Sequence, residues 1–265
     1  MISLINTAYA AESEISVHLS PYIVGYIGEV PITATLLTVW LTMGILVIMA
    51  VMVKSKLSLI PGKFQNFMEL LLGGAFDYVA NTLEDKKLAS KYFPVIMTIF
   101  LFILIMNWVG LLPGVTSIGI YDSHHHLIPF FYPPATDLNI TIAFAIVAFV
   151  VIEFAGIAAL GAWRYGGKFI NLSFLKKFDF NNVLAFFIGI IELISEIARL
   201  ISFSFRLFGN IFAGKTLLLV VMTLATPYFL PVPLLAYELF VGFIQAFVFA
   251  ILTLFFIKVA IEAPH

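Results

Sequence analysis

Between Val183 and Thr226 the chain runs for 44 residues on an apolar background, and within that run the segment Glu192 to Lys215, ELISEIARLISFSFRLFGNIFAGK, carries charge. A hydrocarbon interior tolerates such charge only inside a bundle or beside water. The polar residues Glu192, Glu196, Arg199, Ser202, Arg206 and Asn210 follow at steps of 4, 3, 3, 4 and 4, the spacing that stacks side chains on one face of a helix. One continuous helix with a polar stripe is predicted over 183–226. At about 1.5 Å per residue it reaches about 66 Å, against a hydrocarbon core of about 30 Å, so it must tilt steeply, bend or lie partly in the interface. Arg206 sits within two residues of its middle, which brings the guanidinium near mid-membrane. There it cannot shed its proton and needs a counter-charge or a wet cavity.

Glu196 and Arg199 admit two readings. At three-residue spacing they form an internal ion pair that helps one helix share a bundle interior, or they are functional groups in their own right. Arg206 is different, because no acid lies three or four residues away to neutralise it. An ionisable group inside a membrane helix is a functional-site candidate by default.

The rest of the composition agrees with a membrane setting. With 62% hydrophobic and 11% charged residues in 265, the chain is an integral membrane protein with no room for a second, soluble domain. The absence of cysteine removes disulfides, thiolate chemistry and cysteine metal sites. A net charge of -1 gives no reason to expect a nucleic-acid partner. The start, MISLINTAYAAE, lacks the basic n-region of a cleaved signal peptide, although its AYA-A pattern resembles a cleavage site.

Taken in order, residues 1–31 hold acids and a histidine but not one Lys or Arg, and read as an outer N-terminal segment. The first uncharged span is 32–53, followed by Lys54, Lys56 and Lys63. After Pro61 and Gly62, residues 64–83 place Gln65, Glu69, Gly73, Asp77 and Asn81 four apart, opposite Phe67, Met68, Leu71, Leu72 and Val79. This is the pattern of an amphipathic helix lying in the interface. Further spans are predicted at 92–112, which carries Asn107, and at 138–162, opened by Asp137 and holding Glu153. Between them lies a loop rich in proline and glycine with the run His124, His125, His126. Three adjacent histidines cannot all face one metal in regular structure, so a solvated loop is expected, with no metal site; a proton-collecting surface is the second reading. The long striped helix is followed by a turn at Pro227, Pro231 and Pro233 and a last helix over 234–260 with Glu238 and Gln245. The expected fold is a single membrane domain over 1–265. It is all-α, with about five membrane-embedded helices and one interfacial amphipathic helix, the last two helices long, tilted and antiparallel.

The basic residues orient it. Six lie within 54–91, four within 163–182, three in the striped helix and one, Lys258, at the end of the last helix. By the positive-inside rule the N-terminus is outside and the C-terminus cytoplasmic. Antiparallel packing of the last two helices then sets Gln245 at about the level of Arg206. Glu238, nine residues outward of the last helix's centre near residue 247, and Lys215, nine residues outward of Arg206, are expected to form an ion pair, since either alone is costly in a low dielectric. Glu192 and Glu196 lie on the cytoplasmic side of Arg206.

The motifs RLFGN-IFAGK, GFIQAFVFAILT, PGKFQNFMELLL, NWVGLLPG and ATDLN occur in that family's order along nearly the whole chain and make it similar to subunit a of the F-type ATP synthase of bacteria. The resemblance implies a non-catalytic stator subunit in the cell inner membrane that passes protons through two offset half-channels and needs no cofactor. The implied partners are a rotating ring of c subunits with mid-membrane carboxylates, b-type peripheral stalk subunits and membrane lipid. Arg206 matches the essential arginine that attracts the ring carboxylate and blocks a direct leak. Asn210, Gln245, Glu192, Asn107 and Asp137 match positions that line or support the half-channels, and Glu196, Ser202 and Glu238 join them on the proton path. Lys215 stands where family members commonly carry an acid or histidine, which leaves Glu238 to carry the outer path with Lys215 as counter-ion.

Two readings from other classes compete. A stand-alone secondary transporter or channel with an anion at Arg206 predicts inverted repeats and helices broken at the midplane, and neither is visible in the sequence. A membrane-embedded enzyme with a metal at His124 to His126 lacks any supporting ligand pattern.

Overall fold

The computed structural model describes residues 21–55, 62–112, 114–121, 127–169, 180–224 and 231–262. The histidine run, the start of the chain and Pro227 lie outside them. Seven α-helices are described: α1 Ala34–Ser55, α2 Lys63–Leu83, α3 Lys86–Leu111, α4 Leu138–Leu160, α5 Ala162–Phe169, α6 Phe180–Leu224 and α7 Pro231–Ile261. Two short hairpins accompany them, β1 Ile23–Ile27 with β2 Val30–Thr33 and β3 Gly119–Tyr121 with β4 Leu127–Pro129. The fold is all-α apart from these. The second hairpin occupies part of the segment expected to be irregular loop.

Helix ends differ from the sequence pattern for local reasons. The first span starts at Ala34 and not Ile32, because 30–33 pair with β1 around Gly28 at φ 66° and Thr33 then caps the helix, its Oγ1 accepting from Leu36 N at 3.2 Å. The span expected from Tyr92 begins at Lys86, where the Asp85 carboxylate accepts from Lys87 N at 2.6 Å. The helix expected to reach Ala162 stops at Leu160, since Gly161 turns left-handed at φ 82° while its N–H still bonds Ile157 O. Pro231 and Pro233, read as turn residues, form the first turn of α7, where no intrahelical N–H is required.

Four of the described helices are long and apolar enough to cross a membrane: α1, α3, α4 and α7. The fifth expected, α6, carries its stripe of charge and is not among them. Its 45 residues are unbroken and span about 67 Å at 1.5 Å per residue. Helix α1 is inside-out by soluble standards. Its buried residues are Ala34, Thr35, Thr38 and Thr42, while Val47, Ile48 and Val51 are exposed. The threonine hydroxyls satisfy themselves, Thr38 and Thr42 donating to the carbonyls four residues back at 3.0 and 2.8 Å, and the exposed apolar side suits lipid.

The described parts of the chain form two compact units. The first draws on residues 1–51, 101–141 and 206–247. Its organising piece is the segment 130–137. Tyr132 N donates to Thr38 Oγ1 at 3.0 Å, and Pro133 lies so close to Gly110 that a Cβ there would meet Pro133 Cα at 2.8 Å. Asp137 ends the segment by capping α4, Oδ1 accepting from Asn139 N and Oδ2 from Thr35 Oγ1, each at 3.0 Å.

The second unit draws on 52–100, 142–205 and 248–265. Its core joins Val79, Ala80 and Leu83 of α2 and Ala89, Tyr92 and Ile96 of α3 to Ile152 and Ala155 of α4 and Ala250, Leu254, Ile257 and Ala260 of α7. The small residues let helix backbones approach. At the margin Lys258 donates to Glu84 at 2.8 Å, and this partner holds the exposed Glu84 carboxyl below its ordinary value.

Because one carboxylate both caps α4 and ties it to α1, Asp137→Ala is expected to destabilise the solubilised protein by about 1–2 kcal/mol. Asp137→Asn keeps an oxygen for the cap and a polar group for Thr35, and should cost less than half of that in a thermal unfolding series.

Candidate functional site

In the first unit the polar stripe of α6 meets α7. Asn210 stands one turn beyond Arg206, and its Nδ2 donates to Gln245 Oε1 at 2.7 Å. Gln245, expected level with Arg206, is thus paired one helical turn along from it. A further turn on, Gly214 leaves the space that Glu238 occupies: a Cβ at Gly214 would lie 2.8 Å from Glu238 Oε1. Arg206 itself is half-buried. The buried face of α7 therefore reads Glu238, Gly242, Gln245, at steps of 4 and 3, and it faces small or polar residues of α6.

Helix α3 closes on the same face. Asn107 Nδ2 donates to Gly242 O at 3.3 Å, and Trp108 Nε1 donates to Leu239 O at 3.1 Å. Gly242 leaves room for this contact, since a Cβ there would come within 3.2 Å of the Asn107 side chain and press it by a few tenths of an ångström. A cavity of about 250 Å³ opens between these elements, lined by Asn210, Gly214, Tyr237 and Glu238 among apolar residues.

Polar capacity in this region is left over. Asn107, Glu238 and Gln245 are 1%, 7% and 3% exposed, yet Asn107 Oδ1, both Glu238 oxygens and Gln245 Nε2 have no hydrogen-bond partner among the described residues. Buried polar atoms without partners are costly. Acceptors, a donor and a cavity together suit a site that exchanges protons or water.

The expected ion pair between Lys215 and Glu238 does not form. The two are near enough to feel each other's charge, but the carboxylate accepts no hydrogen bond. Instead the Lys215 ammonium lies 3.9 Å from the centre of the Tyr132 ring. A ring face holds a cation without a second ion having to be desolvated. Tyr132 in turn packs edge-on against Tyr22, with centroids 5.2 Å apart. Burial, with Tyr22 beside it, pushes the Tyr132 phenol up to about 12, so the ring stays neutral at any ordinary pH.

Other site residues fall in the second unit and are described there by themselves. Glu196 Oε2 accepts from Arg199 Nη1 at 2.6 Å, the internal pair of the first reading, and the guanidinium also lies 3.7 Å from the centre of the Phe256 ring. Glu192 is half-buried and Ser202 exposed. A neighbour of this pair carries no motif or periodic signal in the sequence. Tyr165 of α5 packs on Gly156 and hydrogen-bonds Glu153 of α4, whose Oε1 is buried without a partner. Burial and the nearby Glu153 and Glu196 raise the Tyr165 phenol well above its usual range. Gly214 is not among the expected site residues, although it extends the stripe from Arg206 and Asn210 by the same step of four; no sequence signal marks Tyr132.

A family model described as ATP synthase A chain matches residues 36–258. The chain is 34% identical over 226 residues to the ATP synthase subunit a of Geotalea daltonii, covering 85% of this chain and 86% of that protein. It is 34% identical over 217 residues to that of Campylobacter concisus, covering 82% and 85%, and 33% identical over 226 residues to that of Geobacter sulfurreducens, covering 85% and 86%.

The geometry makes a prediction that the natural absence of cysteine leaves easy to read. A Cβ at Gly214 lies 3.4 Å from Glu238 Cγ, within the reach of a disulfide. Paired substitutions Gly214→Cys and Glu238→Cys should therefore cross-link on mild oxidation, faster and more completely than Lys215→Cys with Glu238→Cys. Equal rates on a denaturing gel would contradict the separation of Lys215 from Glu238.

Proposed function

The chain belongs to the ATP synthase A chain family, a multi-pass, non-catalytic membrane subunit of that complex, and on that premise we propose that it is the ion-conducting stator. In this reading it passes protons through two offset half-channels to and from carboxylates on a rotating ring of small subunits. The observation that carries it is the shared face of α6 and α7. There Arg206 leads through Asn210 and Gln245 to a buried, unpartnered Glu238 beside a cavity.

Arg206 supplies the electrostatic step. A guanidinium keeps its charge at every working pH, so it attracts a deprotonated ring carboxylate but cannot pass a proton on. At contact and an effective dielectric of about 20 the attraction is about 4 kcal/mol, equivalent to about three pKa units. That is enough to strip a proton from a ring acid as it arrives and to let it take one up as it leaves. Glu238 serves the outer half-channel, because its two oxygens are uncommitted while Asn210 and Gln245 hold each other. On the cytoplasmic side Glu192 is the carrier, beside a Glu196 that is paired with Arg199; Ser202 completes the stripe. Asn107 fixes α3 against α7, and Asp137 supports the outer path by anchoring α4 and the segment bearing Tyr132.

The distribution of Lys and Arg supports an outer N-terminus and a cytoplasmic C-terminus. Ring subunits, b-type stalk subunits and lipid are the partners that this role requires. In it α6 is a fifth, steeply tilted membrane helix and α2, with Phe67 and Leu70 exposed, lies in the interface.

Arg206→Ala is expected to abolish ATP synthesis in energised membrane vesicles while the complex still assembles. Arg206→Lys should fail nearly as completely, since a desolvated lysine releases its proton and lacks the planar fork. Near-normal synthesis by Arg206→Ala at equal complex content would sink the proposal.

A further inference from the structure

Lys215 is a half-buried cation one residue from the glycine that makes room for Glu238, yet it is turned onto an aromatic ring. We propose that Tyr132 is a positioning residue that holds the Lys215 ammonium on its ring face and thereby keeps Glu238 out of a permanent ion pair. This rests on the reading of Glu238 as the outer proton carrier.

The clamp is held by contacts that do not involve the lysine. Tyr132 N is bound by Thr38 Oγ1, the next residue packs on Gly110, and Asp137 ties the far end of the segment to Thr35. Tyr22, which fixes the ring edge-on, is itself held by the hydrogen bond from Ala34 N to Tyr22 O at 2.9 Å. The ring therefore costs little to order, and its face is offered at a fixed height along α6. Without it, the nearest opposite charge for Lys215 is Glu238. A lysine paired there in a low dielectric would hold the carboxylate ionised, and a proton carrier that stays ionised does not carry. The ring leaves the cation in the site but out of contact with the carboxylate.

The proposal needs the ring and not the hydroxyl. In the assembled complex, Tyr132→Leu should lower ATP synthesis by about tenfold, the scale of one desolvated cation–ring contact, and Tyr132→Phe should restore most of that loss. In a Lys215→Met background, at whatever level that variant works, adding Tyr132→Leu should cause no further loss. A second readout does not depend on proton transport or assembly. Zero-length carbodiimide coupling followed by peptide mass spectrometry should find a Lys215–Glu238 amide in Tyr132→Leu, and little of it in the wild type or Tyr132→Phe. Equal cross-linking in all three, or a Tyr132→Leu defect that persists in Lys215→Met, would overturn the clamp. Unaltered synthesis in Glu238→Gln together with the expected cross-linking pattern would instead remove the outer-carrier reading and leave the clamp standing.

Discussion

A guanidinium that cannot lose its proton must be given company, and the first unit is arranged around that constraint. Arg206 belongs to a stripe whose helix is continuous for 45 residues, so wherever this face turns, Asn210 and Gly214 turn with it. Burying such a face against an apolar partner would strand several polar groups at several kcal/mol each. Helix α7 avoids this by presenting Glu238, Gly242 and Gln245 in matching order. Asn107 and Trp108 then use their side chains on α7 carbonyls, which locks α3 to that arrangement.

The hydrogen bonds are divided unevenly, and the division is informative. Asp137 spends both oxygens on structure, and Glu196 is committed to Arg199. Glu238 has neither obligation, despite being as buried as Asp137. Holding an acid in that condition requires that the nearest cation be kept elsewhere, and Tyr132 does so from a segment outside the helices. The site thus depends on a loop as much as on its two long helices.

Much of this was legible in the residues. The stripe over 192–210 follows from its 4, 3, 3, 4, 4 spacing, and the level of Gln245 followed from counting along antiparallel helices to within one turn. Counting also set Lys215 beside Glu238, and there it failed. Depth arithmetic knows nothing of side chains supplied by a third element, and the run FFYPPATD gives no periodic signal by which to see Tyr132 coming. The hairpin over 23–33 escaped because its strands are short and lie among apolar residues that continue into α1. The contact of Tyr165 with Glu153 joins residues on two helices whose bend at Gly161 sequence periodicity does not fix. Pro231 and Pro233 are ambiguous by sequence alone, because proline marks both turns and first helical turns.

The central claim is that Arg206 separates two aqueous paths, and passive proton flow tests it most directly. Vesicles carrying the membrane part of the complex, with the ring covalently locked to this chain, should hold an imposed pH gradient when Arg206 is present. The same locked assembly with Arg206→Ala should leak protons. A locked Arg206→Ala assembly as tight as the native one would contradict the account.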